Sequence, residues 1–472
     1  MSLALKIAKN TAYLTLGKIA GTVIGLITIA LVLRYLSPDD YGRYTTIIAF
    51  IMLLGTVTDF GLNLTTTQDI SLPGTDVGRT MANVFTFRLA ANVALAVLLP
   101  PILLLFPYEA KVEQGIYVAI ILFFCLSLFQ VLASYFQKSL ESWAVATSEL
   151  SGKIIMLGLT LLAIWQKWSL LAIIITVVLS GIGQLIMLIF FTSRRLKLYL
   201  AFDWPVWGRI IKKTWPIALS VVLTTIYFKG DTIILSLTRP YADVAVYGAA
   251  YKILEVLIAL PILFMSLVLP HLTSSWAEKN RERWQAIFQK SWDGLCLVTL
   301  PLIAGGIVLA KPIINLIAGE GYEASVQVLQ ILMLATGIIF LGSIFTHAIV
   351  ALGEQKAMIK FYLITAVVAV ILYVKFIPLY SYYAAAAITI LAELAIALSA
   401  VYKVSSASGL KLSHVIFGKA LLGSIVMSLI LMLLDKIPVL IAVPLGAMVY
   451  LIAIIILKAV PLEFTASLRN RF

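Results

Sequence analysis

Several charged residues of this sequence lie inside long apolar stretches. The five bases are Lys18, Arg88, Lys153, Lys229 and Lys252, and the five acids are Asp59, Glu149, Asp231, Glu255 and Glu393. A charge at membrane depth costs about 3 kcal/mol on insertion scales, so such a group faces protein or water, and its presence suggests a function. The amines therefore predict an anion-binding site, and the carboxylates predict groups that bind a proton or a cation.

Lys18 and Arg88 are the strongest candidates for the anion site, because no acid is near them on their own predicted helices. Lys153, Lys229 and Lys252 are further candidates for binding the same substrate. Lys18 is too deep in its stretch to reach the membrane surface easily, so it should face a water-filled interior. For Arg88 the alternative of reaching the nearby interface stays open.

Pairing is the alternative for two of these amines. Glu149 and Lys153 are four residues apart, and Lys252 and Glu255 are three apart, so each pair can neutralise itself on one helix face. The candidates for coupling to H⁺ or Na⁺ are Asp231, Glu255 and Glu393.

Composition places the chain in a membrane. It has 472 residues, of which 62% are hydrophobic and 12% charged, with a mean hydropathy of +1.04. Soluble domains are less apolar and about twice as charged. The net charge of +13 is carried mainly by short loops, so it indicates membrane topology and not nucleic-acid binding.

Apolar stretches of about 20 residues predict membrane-spanning helices. We predict an all-α, polytopic membrane protein with about fourteen transmembrane helices. They cover 13–36, 43–65, 84–106, 116–136, 144–165, 169–192, 214–237, 246–269, 295–310, 325–349, 357–377, 382–402, 415–434 and 438–458. The ninth should begin near Trp292, and for the last two a re-entrant hairpin is the alternative. Prolines at 100, 101, 261, 301 and 444 should kink or break their helices.

The loops predict the orientation. With the N-terminus inside, the inner segments hold 22 basic residues and the outer turns hold eight. Basic residues concentrate on the cytoplasmic side, so both termini should be cytoplasmic, in the inner (plasma) membrane. The inner segment 193–213 is long and basic, and its tryptophans predict an amphipathic stretch at the membrane interface.

The two halves of the chain resemble each other in span and turn lengths. Six spans separate the copies, so the halves enter the membrane the same way up, as in transporters built from parallel repeats. We predict an N-terminal six-helix lobe (1–200), a C-terminal six-helix lobe (201–405) related by a pseudo-two-fold axis, and an additional helix pair (406–472).

No catalytic constellation is present in the sequence. The three histidines are scattered, and Gly-x-Ser-x-Gly, Walker A and His-Glu-x-x-His motifs are absent. The two cysteines cannot form a metal site or a disulfide framework. We therefore expect no enzyme, no cofactor and no ATP hydrolysis, with transport driven by an ion gradient, the membrane potential or the substrate concentration.

Several segments of the chain carry a family resemblance. They are Asn10, Gly17-Lys18, Arg34-Tyr35-Leu36-Ser37-Pro38-Asp39-Asp40-Tyr41-Gly42-Arg43-Tyr44, Asp59-Phe60-Gly61-Leu62, Asp231-Thr232-Ile233-Ile234-Leu235 and Val246-Tyr247-Gly248-Ala249-Ala250-Tyr251-Lys252-Ile253, with Pro270 closing the eighth span. These segments resemble polysaccharide flippases of the Wzx type, in the multidrug/oligosaccharidyl-lipid/polysaccharide exporter (MOP) superfamily. Ser37 departs from the glycine that is usual in the family's first turn. In the first hairpin we assign structural or gating roles to Arg34, Asp59, Gly21 and Gly25.

This resemblance implies a flippase that moves undecaprenyl-diphosphate-linked oligosaccharide units from the cytoplasmic to the outer leaflet by alternating access. Membrane lipids, a polysaccharide polymerase and a chain-length regulator would be its partners. The alternatives are a lipid II or teichoic-acid flippase, a drug or cation antiporter of the same superfamily, and a membrane-embedded glycan polymerase or ligase. The last would normally need a large outer loop, which the sequence lacks.

Overall fold

The structure is helical throughout. It is a computed structural model that describes residues 3–59, 62–197, 199–434 and 437–459, and within these residues it contains fifteen helices and no strand. The first eight are α1 (Leu3–Tyr35), α2 (Pro38–Asp59), α3 (Leu62–Ser71), α4 (Val77–Leu103), α5 (Ala110–Lys138), α6 (Ser142–Trp165), α7 (Leu170–Ser193) and α8 (Trp204–Thr238). The others are α9 (Tyr241–Ala277), α10 (Arg281–Val308), α11 (Ala310–Ile317), α12 (Ala324–Leu352), α13 (Gln355–Ser408), α14 (Val415–Leu433) and α15 (Val439–Ile456).

Twelve of the described helices are long and apolar enough to cross a membrane. One of them, α13, would be about 81 Å long if straight, against about 30 Å of hydrocarbon. Its path bends at Ser381, where φ is 50° and ψ is −138°. The predicted spans 357–377 and 382–402 lie on either side of this bend. The all-α membrane fold is confirmed, and the count of fourteen spans stays a prediction.

The chain divides into two compact units, Met1–Ala245 and Val246–Phe472. In the first, α1 packs on α6, α6 and α7 pack together, and α5 contacts α2, α3, α4 and α7, while α8 lies against α2. In the second, α12 packs on α13 and α10, and α10 also holds α14, which pairs with α15. The predicted division into 1–200, 201–405 and 406–472 is based on a repeat of span and turn lengths in the sequence. A division of the chain by its contacts does not test such a repeat, so the three limits stay a prediction.

Buried side chains form a core in each unit. In the first unit, Met81, Phe129, Leu132 and Leu188 belong to one cluster, and Ile210 of α8 joins it. In the second, a larger cluster is built on Trp284, Phe288 and Trp292 of α10. The pair α14 and α15 packs around Met427 and Tyr450, whose hydroxyl donates to the carbonyl of Leu297 at 2.8 Å. The last two helices are therefore anchored on α10.

Two helices differ from the predicted spans. The ninth span was expected to begin near Trp292, but α10 begins at Arg281, because the side chain of Asn280 caps it by accepting from the Arg283 amide at 3.0 Å. The predicted second span, 43–65, corresponds to α2 and the beginning of α3, and α2 is not among the twelve apolar helices. The short helix α11 was not predicted.

The prolines predicted to kink or break their helices do not break them. Pro100, Pro101, Pro301 and Pro444 lie inside continuous helices, and α9 passes through both Pro261 and Pro270 before it ends at Ala277. A proline removes only one backbone donor, and neighbouring helices and local adjustments can accommodate that loss within a membrane helix. Pro270 therefore does not close its helix.

Among the described glycines of the first unit, Gly42 of α2 makes the closest approach to the backbone of another segment. A Cβ atom at this position would lie 1.8 Å from the carbonyl oxygen of Tyr241, at the beginning of α9. Real Cβ atoms do not approach a backbone oxygen so closely, so only glycine allows this contact. Gly42 therefore fixes how the beginning of α2 meets the beginning of α9.

Replacing Gly42 tests this contact. We expect Gly42→Ala to displace the Tyr241 backbone and to destabilise the protein by about 2 kcal/mol, as overpacking does. Thermal unfolding of the purified protein in detergent measures the change. The matched control is Gly158→Ala in α6, where a Cβ meets no atom within 4 Å and alanine favours the helix. Equal stability of the two variants would contradict the packing described for Gly42.

Candidate functional site

Gly17, Gly21 and Gly25 are spaced four residues apart on α1 and form a glycine ladder along its contact with α6, which we call the seam. A Cβ added at Gly17 would lie 2.8 Å from the Cβ of Ala146, closer than such atoms approach. At this level the two helices are therefore in direct contact, as small residues permit in membranes. The missing side chain of Gly17 therefore allows α1 to pack closely on α6.

One and two turns further along, the same ladder accommodates a charged side chain. A Cβ at Gly21 would lie 3.8 Å from Cγ of Lys153, and one at Gly25 would lie 3.8 Å from its Nζ. The aliphatic stem of Lys153 thus runs along the open backbone of α1, and its ammonium group reaches the level of Gly25. Gly21 and Gly25 thus lie directly beside the side chain of this lysine.

Glu149 lies within electrostatic reach of both lysines of the seam. Its charge interacts with Lys18 of α1 and with Lys153 of its own helix. The predicted intrahelical interaction of Glu149 and Lys153 is therefore joined by a base from the neighbouring helix. The side chains of Lys18 and Lys153 are exposed, whereas Glu149 is partly buried. Two bases that interact with one acid leave a net positive charge, which can bind an anion.

Arg88 has a different environment. It lies on α4 with only 1% of its surface exposed, and its Nη2 donates to Oε1 of Gln130 on α5 at 3.3 Å. One turn away, Ser127 of α5 donates to Oδ1 of Asn92 at 3.1 Å. Arg88 is thus enclosed between helices and does not extend toward the membrane surface. A ligand could reach its guanidinium only if these helices separated.

The substrate-binding candidate Lys229 and the ion-coupling candidate Asp231 lie close together on α8. Lys229 is partly buried, and Asp231 is fully buried. One oxygen of Asp231 accepts from the hydroxyl of Thr232 at 3.0 Å and from the backbone amide of the same residue. The carboxylate is therefore held against its own helix.

The candidates of the second unit lie on α9 and α13. Lys252 and Glu255 form an ion pair at 2.8 Å, so the predicted pairing on one helix face is confirmed. Glu393 of α13 is buried, and its charge acts on the phenol of Tyr362. One turn before it, the hydroxyl groups of Thr389 and Tyr247 are 3.4 Å apart.

A cluster around Arg43 was missed by the sequence analysis. Its guanidinium binds Asp40 at 2.8 Å and Glu109 of the α4–α5 connection, and it lies 5.1 Å from the ring centroid of Tyr241. In the same connection, Tyr108 hydrogen-bonds Ser236 at 3.1 Å, and burial raises its pKa well above the usual range. The signal in the sequence was the Asp40–Arg43 spacing of three residues; the contacts with Glu109 and Tyr241 are long-range.

The remaining candidates of the hairpin are Arg34, which is exposed at the end of α1, and Asp59, the last residue of α2. The side chain of Asp59 lies outside the described part of the structure. Among the residues that are described, no group of three His, Cys, Asp or Glu is close enough to hold a metal ion.

The sequence model of a family described as "Polysaccharide biosynthesis protein" matches residues 31–327, which covers α2 to the beginning of α12. The chain belongs to this family. The resemblance to polysaccharide exporters that the first hairpin and α9 predicted is thereby confirmed.

Comparison with individual proteins supports this family assignment. A protein of Shigella dysenteriae named "Putative O-antigen transporter" is 24% identical over 389 residues, covering 80% of this chain and 94% of its own. The lipid II flippase MurJ in an inward closed conformation superposes with a TM-score of 0.78 at 17% identity, over 93% of this chain and 97% of its own. An inward-facing multidrug MATE transporter of the MOP superfamily has a TM-score of 0.69 at 13% identity, over 82% and 96%. Because both identities are low, these two similarities establish the fold of this chain and nothing about its substrate.

The different surroundings of Arg88 and Lys18 predict different effects on stability. Arg88→Ala should lower the free energy of unfolding by about 2 kcal/mol, because it leaves a cavity at a side chain that is 1% exposed and removes its hydrogen bond with Gln130. Lys18→Ala should change it by less than about 0.5 kcal/mol, since its side chain is exposed. Thermal unfolding in detergent measures both. If Lys18→Ala were the more destabilising variant, the assignment of Lys18 to an accessible site would be wrong.

Proposed function

We propose that this protein is a flippase for lipid-linked oligosaccharides, which it moves from the cytoplasmic to the outer leaflet of the inner membrane during surface polysaccharide biosynthesis. The observation that carries the proposal is the Lys18–Glu149–Lys153 group on α1 and α6, found in a chain of the polysaccharide biosynthesis family. The relative named as an O-antigen transporter supports the same cargo class. An amine-rich site within apolar helices suits a cargo that carries a negative charge through the membrane.

The cargo we propose is an undecaprenyl-diphosphate-linked oligosaccharide. Its diphosphate and sugars cannot enter hydrocarbon unshielded, whereas its prenyl chain can stay in lipid. Lys18 and Lys153 would bind the diphosphate through charge-assisted hydrogen bonds, and Glu149 would hold the two ammonium groups in place until the anion arrives. Gly21 and Gly25 serve this site by giving Lys153 its position.

Binding of the diphosphate would then be followed by a change of access to the other side of the membrane. Lys229 and Lys252 are the bases proposed to meet the cargo there. Lys252 would first have to leave Glu255, with which it pairs at 2.8 Å. Arg88, enclosed beside Gln130, would act on the cargo only after its helices move.

Coupling to H⁺ or Na⁺ is proposed for Asp231, Glu255 and Glu393. Glu255 could bind a proton or a cation when Lys252 exchanges its carboxylate for the cargo. Asp231 and Glu393 are both buried in apolar helices, where a charged carboxylate is costly. Such groups can link the direction of transport to an ion gradient.

The architecture we propose has fourteen spans, in two six-helix lobes related by a parallel pseudo-two-fold axis, with the last pair added. The domain limits are 1–200, 201–405 and 406–472. Both termini are cytoplasmic, and a polysaccharide polymerase and a chain-length regulator act on the delivered cargo. The protein itself performs no covalent chemistry.

Replacing Lys18 or Lys153 tests the proposed anion site. We expect Lys18→Ala and Lys153→Ala each to lower export at least tenfold, because a charge-assisted hydrogen bond contributes about 1.5–3 kcal/mol. The readouts are surface polysaccharide and the lipid-linked intermediate, which should accumulate at the inner leaflet. Lys111→Ala, an exposed base at the beginning of α5, is the matched control and should export normally. Unchanged export by Lys18→Ala at normal protein levels would refute the role of Lys18.

The orientation is tested by labelling with a membrane-impermeant maleimide. The native thiols of Cys125 and Cys296 are buried, so they give little background. A cysteine at Lys111 should react in intact cells, and one at Lys279 should react only after permeabilisation. Both positions are exposed, which makes them comparable. The reverse pattern would place the termini outside.

A further inference from the structure

The connection between α7 and α8, together with the beginning of α8, forms a surface that no part of the proposed transport mechanism uses. Residues 194–215 contain six basic residues and one acidic residue, Asp203. α7 ends at Ser193 and α8 begins at Trp204. With 35 residues, α8 is about 52 Å long, against about 30 Å for the hydrocarbon core. Its first turns therefore extend beyond the hydrocarbon, at the level of the membrane surface.

This segment is fixed on the first unit by contacts of several kinds. Arg195 pairs with Glu141 at 3.4 Å, and Arg79 pairs with Asp203. The amide of Ala201 donates to the hydroxyl of Thr86 at 3.0 Å. These contacts bind Glu141 and Asp203 and give the segment a defined position.

Aromatic packing completes the attachment. The ring of Trp207 meets Phe87 of α4 with 5.1 Å between centroids, and Phe202 meets Trp207 at 4.6 Å. Val206 and Ile210 of α8 join the core of the first unit. One face of the first turns of α8 is thus buried in protein.

The other face is apolar as well, yet it is exposed. Trp204, Ile211 and Trp215 are 69%, 46% and 54% exposed. They are seven and eleven residues apart, which is close to two and three helical turns, so they form one stripe along α8. Tryptophans on such a stripe are typical of the membrane interface, where the ring lies among the headgroups.

Positive charge borders the stripe. Lys212 follows on the face of α8 next to the stripe, Arg209 lies further round the same helix, and Lys197 precedes the helix; all three are exposed. Within the described residues, none of the three forms an ion pair with an acid. Since Asp203 and Glu141 are already bound by Arg79 and Arg195, this charge is available to a ligand outside the protein.

We propose that this surface, the stripe of Trp204, Ile211 and Trp215 with the cations Lys197, Arg209 and Lys212, binds anionic phospholipids of the adjacent leaflet. The rings enter the region between headgroups and acyl chains, and the cations bind lipid phosphates. The surface would anchor the beginning of α8 at the membrane whatever cargo is carried. A soluble partner is less suited, because an exposed tryptophan stripe next to a membrane span is at the depth of the lipid headgroups.

Quenching by brominated lipids tests the proposal. The purified full-length protein is placed in nanodiscs of phosphatidylcholine with phosphatidylglycerol as a minor component. Two preparations of the same lipid composition are compared. In one the acyl chains of phosphatidylcholine carry bromine, and in the other those of phosphatidylglycerol do. The signal of the stripe is the difference between the natural protein and its Trp204→Phe/Trp215→Phe variant.

We expect phosphatidylglycerol to be enriched next to the stripe by about fivefold for each contributing cation, and bromine on this lipid to quench correspondingly more. Lys197→Gln/Arg209→Gln/Lys212→Gln should abolish the enrichment, whereas Lys111→Gln/Lys167→Gln/Lys375→Gln, at exposed bases elsewhere, should retain it. High salt should abolish it in the natural protein, which decides the question even if the triple variant does not fold.

Two results would overturn the proposal. Equal quenching by the two brominated lipids in the natural protein would show a membrane contact without preference for anionic headgroups. Absence of quenching by either lipid would show that the stripe faces water, and a soluble partner would then have to be sought.

Discussion

The cost of a charge at membrane depth is the constraint on which this structure depends. In the first unit that cost is offset by neighbouring polar groups, with Glu149 between Lys18 and Lys153, and Arg88 against Gln130. In the second unit the same constraint is met by the Lys252–Glu255 pair at 2.8 Å. The exposed lysines of the seam differ from the enclosed Arg88, because they remain accessible to a ligand. That difference separates groups that can bind cargo from groups that hold helices together.

Close approach between helices supplies the geometry for these charges. At Gly17 the absence of a side chain brings α1 against Ala146, and the next glycines of the ladder then accommodate the stem of Lys153. A single sequence pattern thus serves two purposes along one helix. The same principle operates at Gly42, whose backbone contacts the carbonyl of Tyr241. In both places a larger residue would move a helix and, with it, the charges it carries.

The helices could largely be predicted from the sequence because apolar length is a strong signal in a membrane protein. The bend at Ser381 falls between two predicted spans for that reason. The start of α10 at Arg281 was not predicted, because the first turns of this helix are polar and apolar length does not detect them. The only local signal for this start is the capping residue Asn280. The helix α9 continues through Pro261 and Pro270, because neighbouring helices can accommodate the backbone donor that a proline lacks.

The candidate site was less predictable than the fold. The type and depth of Lys18 and Lys153 marked them as candidates, but sequence spacing could not show that Glu149 interacts with lysines of two helices. It also could not show that Arg88 is enclosed by α4 and α5. Contacts between distant segments, such as Arg43 with Glu109 and Tyr241, depend on helix packing and have no local signature.

We propose that the amines of the α1–α6 seam recognise a diphosphate. Native mass spectrometry of the purified protein can compare its binding of undecaprenyl diphosphate with its binding of undecaprenyl monophosphate. The natural protein should prefer the diphosphate, and Lys18→Met/Lys153→Met should lose this preference while still binding prenyl chains. An equal preference in the natural protein and the double variant would contradict it.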